Sequence, residues 1–150
     1  MSTPTPAPAP KDDSTEQAPP ADAPFDPLDF PSDLLAAQLK LAELYAALQA
    51  HQAALPWSRE SDPGWPDEDE RGRERPGRPA TSGWQADDAA EFDRLLQELR
   101  KAAWAVQGHR HWGLCTLKGV GGADLVTARQ ALKHADGAVP LRRDDVATVA

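Results

Sequence analysis

Apolar residues along this chain fall into two separated sets with helical spacing. Leu34, Ala37, Leu41, Leu44, Leu48, His51 and Leu55 step by threes and fours, and so do Ala89, Phe92, Leu96, Leu99, Ala103 and Val106. A helix gathers each set on one side, where it makes a seam for another helix. The first helix is predicted over about 33–54. Ser32 is its candidate N-cap, Asp33 favours the positive end of the dipole, and Pro56 stops it by disfavouring helical geometry at Leu55. The second is predicted over 86–107, with Asp87, Asp88 and Glu91 in its first turns and Gly108 as its stop. A shorter third, over 124–135, carries Leu125, Ala128, Leu132 and Ala135, with Asp124 as cap and Gly137 at its end. The glycine-bearing stretch 109–122 reads as a flexible connection, and Trp104, off the main stripe, is expected to contact the third helix.

The stretch between the long helices breaks the pattern. Residues 55–84 hold five prolines, four glycines and twelve charged side chains, so no regular element is expected there. Trp57, Trp65 and Trp84 stand out in it, because a large apolar ring left in water needs a reason. Trp57 and Trp84 are expected to pack at the open end of the hairpin, while Trp65 is the candidate exposed contact residue. Four consecutive acids meet four arginines between Asp67 and Arg78, which suggests a mobile portion. The fold expectation is therefore all-α. Two long antiparallel helices, each about 33 Å at 1.5 Å per residue, form a coiled-coil-like hairpin with the shorter third helix against one end. Strand signals are nearly absent.

Composition narrows the folded part. Nine of the fifteen prolines lie in the first thirty-one residues, which also carry six acids against one lysine. Such a segment has too little apolar surface to offset the entropy of ordering it, so 1–31 reads as a disordered acidic arm. The helical domain is expected over 32–137, and 138–150 as a flexible tail. The net charge of −8 disfavours broad binding to nucleic acid or anionic membrane, although residues 108–150 are slightly basic. One cysteine excludes an intramolecular disulfide. No apolar run approaches a membrane span and no secretory leader is visible, so a cytoplasmic protein is expected.

Candidate chemistry is sparse. His109, His111 and Cys115, with His134 beyond, are residue types that hold zinc, but their spacing matches no paired zinc signature. The plainer reading is that His109 and His111 cap the second helix. Cys115 would need an oriented base to act as a nucleophile, and no strand-turn-helix elbow is present. Gly119, Gly121 and Gly122 precede a helix without the rest of a phosphate-binding motif. His51 reads as a hydrogen-bonded boundary residue. Arg129, Lys133 and His134 suggest a recognition helix, but the expected connection before it exceeds the three or four residues of a helix-turn-helix.

The segments LPWSRE, GW at 64–65, SGW at 82–84, HRHW and ARQALKHA together resemble uncharacterised small proteins of high-GC actinobacteria. The resemblance spans roughly 32–135 and implies a bacterial cytoplasmic setting, with no activity, ligand or site residue attached. The expectation for function is a non-enzymatic helical interaction or accessory protein that binds a protein partner or forms a homodimer. It carries no catalytic residue and no cofactor. The alternatives are a small DNA-associated regulator using the basic C-terminal third, or a metal-binding protein through His109, His111 and Cys115.

Overall fold

The computed structural model describes residues 3–7 and 24–141. The long helices form where the spacing places them: α1 spans Ser32–Ala53 and α2 spans Ala86–Gln107. Pro31, and not Ser32, takes the cap position of α1, and its carbonyl accepts from the amides of Leu34 and Leu35 at 3.1 Å. The pair is antiparallel. His51 Nε2, near the end of α1, lies 2.8 Å from the carbonyl of Asp88 at the start of α2, and Leu34 shares a core with Val106 at the opposite ends. Every residue of the first predicted seam is at least half-buried. On α2 the most deeply buried positions are Leu95, Leu99, Ala102 and Val106, one residue out of step with part of the predicted stripe. Trp104 is a correction: it projects from the side of α2 opposite its buried residues and is 74% exposed, not packed under a third helix.

The connection expected to be flexible is a helix. α3 covers Arg110–Leu117, and after four residues α4 covers Gly122–Leu132. There are thus four helices among the described residues, not three. His109 caps α3 rather than α2: its Nδ1 accepts the His111 amide at 3.1 Å. The core lies at this end of the hairpin, where Leu34, Val106, Trp112, Cys115, Ala128, Leu132 and Ala138 meet. Burial of Ala138 carries the core past the expected end of the domain.

Part of the arm belongs to the same core. Phe25 and Phe30 pack on it, and Phe30 meets both His111 and Trp112 edge-on, at 5.7 and 6.4 Å. These two rings supply apolar surface that the proline-rich composition hid. The disorder expected of the arm is therefore corrected for 24–31, while 8–23 lie outside the described residues.

At the other end, the expectation of no regular element is also overturned. Two short strands, β1 (Glu68–Glu70) and β2 (Arg73–Arg75), pair antiparallel across a tight turn with positive φ at Arg71 and Gly72. The pairing continues well beyond them. Glu68 faces Arg75, Trp65 bridges Arg78, Asp62 bridges Thr81, and the Trp84 amide donates to the Arg59 carbonyl. Partners thus recur every third residue in one unbroken register, where a pleated ladder alternates with a period of two. The reason lies in the residues skipped. Pro63, Pro66, Pro76 and Pro79 have no N–H to give, and the glycines allow the two chains to touch.

Aromatic and charged side chains fasten this ribbon to the helices. The indole of Trp84 donates to the Pro56 carbonyl at 2.7 Å and its ring tilts against Phe92. The indole of Trp57 donates to the Pro79 carbonyl at 2.8 Å, and Arg59 makes a two-pronged pair with Asp93 on α2 at 2.7 and 2.8 Å. Trp57 and Trp84 pack at this end as their size requires.

Candidate functional site

The core at one end and the ribbon at the other leave the middle of the α1–α2 pair uncovered on one side. There a groove of about 730 Å³ runs beside α1 from Gln38 to Gln49, with α2 and α4 as its other walls. Eleven steps of 1.5 Å along the helix make it about 16 Å long. Its floor is apolar and low, because Ala42, Ala46 and Ala103 alternate with Leu41 and Val106. Its rim is polar: Gln38 and Tyr45 on α1, Gln107 on α2, Arg129 and Lys133 on α4. Both charges are positive, and no carboxylate among the described residues lines the groove.

Two rim residues are held in place by the fold. The guanidinium of Arg129 lies 4.6 Å from the centre of the Trp112 ring, which fixes its position without neutralising it. Gln38 is 9% exposed, and its side chain lines the groove.

A second cluster joins the starts of α1 and α3. Arg110 bonds Asp33 at 2.7 Å, and His109 Nε2 lies 3.1 Å from the other oxygen of the same carboxylate. That contact is off the axis a hydrogen bond needs, so the buried Nε2 is matched only electrostatically. The hydrogen bond from Arg110 holds the Asp33 carboxyl below its ordinary value of 3.8; partial desolvation opposes the shift, and His109 adds to it. A depressed carboxyl stabilises the fold above its unfolded value and loses that contribution as pH falls through the folded one. The stability gap between wild type and Asp33→Asn is therefore expected to be open at neutral pH and to close below about pH 4. Thermal melts across that range check it; a gap independent of pH would mean that the pair contributes nothing.

The predicted ligand set does not converge. His109 Nδ1 is taken by the α3 cap, His111 Nε2 lies 3.0 Å from the Pro27 carbonyl, and Cys115 is fully buried in the core. No group of three or more His, Cys, Asp or Glu that could hold a metal meets among the described residues. Burial pushes the Cys115 thiol up, away from the nucleophilic thiolate. His134 is exposed; Gly119 and Gly121 lie in the turn between α3 and α4, and Gly122 opens α4. Trp65 is 48% exposed and rests edge-on against Trp57, 5.4 Å between centroids, while Arg78 covers the other ring.

The groove escaped the sequence reading. Its cations lie on the third predicted helix and its floor on the first two. The one available signal was alanine at positions 42 and 46, on the edge of the leucine seam. Among the described residues no helix is long and apolar enough to cross a membrane. No curated protein and no solved structure matches the chain. A family model does match, over residues 33–135, which takes in the hairpin, the ribbon, α3 and α4. The groove, the capped α3 and the tryptophan ribbon are thus carried within the matched region, and by that match the chain belongs to the domain-of-unknown-function family DUF8825.

Proposed function

We propose that this chain is a non-enzymatic helical interaction protein of the bacterial cytoplasm, and that the groove between α1, α2 and α4 receives its protein partner. The observation that carries the reading is the groove itself: an apolar floor ringed by hydrogen-bonding side chains on a rigid helical frame. The non-enzymatic part is supported by a buried Cys115 and by ring nitrogens of His109 and His111 already engaged with backbone. Trp65, half-exposed on the ribbon, is a second contact residue in this reading. The bacterial setting follows from the resemblance of the tryptophan-bearing segments.

Ala46→Leu fills the floor from an exposed position and so leaves the core intact. A tagged full-length chain is expected to recover a stoichiometric partner from its host, and the Ala46→Leu chain to lose it while melting unchanged. Retention of the same partner by the filled groove would refute this use of it. Doubling of the native mass, abolished by Ala46→Leu, would identify the partner as a second copy.

A second reading gains from the structure. The connection ahead of α4 is four residues, 118–121, so the length that argued against a helix-turn-helix no longer does. Gly119, at φ +83, makes the turn, and Val120 packs into the core behind it. In this reading α4 would meet DNA through Thr127, Gln130 and Lys133. Binding to duplex DNA that survives moderate salt and is lost in Gln130→Ala would favour it over the groove; a purely electrostatic contact fades with salt and ignores that change.

A further inference from the structure

Resting on the groove reading, we propose that the occupant is an acidic amphipathic helix of a partner protein. Three features of the groove select that chemistry. Its charges, Arg129 and Lys133, are both positive and stand on one rim, with no carboxylate beside them among the described residues. A basic ligand would meet uncompensated like charge there, whereas carboxylates complete both groups. The floor is lowered by Ala42, Ala46 and Ala103, which leaves room for leucine- or phenylalanine-sized side chains. Duplex nucleic acid presents nothing to fill such a floor.

The length fits as well. From Gln38 to Gln49 the groove accepts about three helical turns laid along α1, with anchors at i, i+3 or i+4, and i+7. Gln38 supplies the third feature. Its side chain lines the groove, and its amide offers the occupant both a donor and an acceptor. Tyr45, half-exposed on the same helix, closes over the apolar anchors.

The test is selection of helical peptides from a displayed random library on the full-length chain, with the Ala46→Leu chain used to remove ligands that bind elsewhere. The enriched peptides are expected to pair Leu or Phe at helical spacing with Asp and Glu, and to bind Lys133→Glu at least tenfold more weakly. Lys133 is exposed and outside the core, so this variant keeps its fold. Gln38→Leu is expected to weaken the peptides at an unchanged melting temperature, whereas loss of a purely structural glutamine would lower the melting temperature and leave the affinity alone.

Enrichment of basic or uncharged peptides, or binding indifferent to Lys133→Glu, would overturn the acidic assignment and leave the interaction reading standing. No enrichment at all would overturn both. If peptides appear only when Asp12, Asp13, Glu16 and Asp22 are replaced by their amides, the groove belongs to this chain's own acidic arm. Duplex DNA that binds the wild-type chain but not Ala46→Leu, with no peptide selected, would give the groove to nucleic acid.

Discussion

Trp112→Ala is expected to lower stability by about 3–5 kcal/mol, the range for truncating a buried aromatic ring. A small domain has only about 5–15 kcal/mol in total, so this one change removes much of the folding free energy. Trp112 is 4% exposed, and it stands where every element of the core end meets. Its indole donates to the Val106 carbonyl at 2.7 Å, its ring meets Phe30 and His111, and Arg129 covers a face. Truncation opens a cavity, removes the shorter of that carbonyl's hydrogen bonds and frees the rim cation of the groove together. Trp112→Phe keeps most of the ring and is expected to cost about 1–3 kcal/mol, mainly for the lost hydrogen bond. Trp104→Ala, on the exposed side of α2, is expected to stay within about 0.5 kcal/mol of wild type. Urea denaturation followed by circular dichroism distinguishes the three. Equal midpoints for Trp112→Ala and wild type would mean that the core does not depend on this end.

Gly64→Ala and Gly77→Ala are expected to open the ribbon without melting the helices. Gly64 has φ +71, and a methyl group there would drive into the Arg78 carbonyl and the backbone of Pro79. Gly77 stands in the mirror position, where a methyl would strike the Trp65 carbonyl and Pro66. Neither obstacle can rotate away, because both are main chain. At Gly64 the positive φ alone costs about 1–3 kcal/mol in a residue with a Cβ, and at both positions the collision prises apart the reciprocal Trp65–Arg78 bonds. Hydrogen exchange is expected to accelerate at the amides of Asp62, Trp65, Arg78 and Thr81, while α1 and α2 keep their protection. Gly72→Ala is the comparison: its φ is +75 but nothing lies within 4 Å, so only the local strain is felt. Equal effects at Gly64 and Gly72 would show that close approach of the chains does not matter.

These two variants also mark where reading the sequence stops. The leucine seams were legible because burial along a helix repeats with the helix's own period. That period placed α1 and α2 within a residue or two of where they lie. Tryptophan size likewise predicted that Trp57 and Trp84 would find cover, and His51 its hydrogen bond. α3 was not legible, since Gly113 and the short span between two glycines mimic a connector. The ribbon was hidden for a related reason. Proline and glycine usually punctuate, yet here P-G-W-P at 63–66 and P-G-R-P at 76–79 face each other about the Arg71–Gly72 turn. A direct P-G-x-P repeat on either side of an acidic-basic turn was the signal available.

What the sequence determined by itself, then, was local: two amphipathic helices, their polarity, their ends and the rings that needed shelter. These follow from side-chain period and from which backbone angles each residue tolerates, both properties of neighbours along the chain. Tertiary structure decided what depends on distant residues meeting. It brought Phe25 and Phe30 into the core, turned Trp104 outward, set the ribbon's three-residue register and joined the cations of α4 to the alanine floor of α1. A groove belongs to no single element: it is the space left when three helices pack and none of their side chains is large enough to fill it.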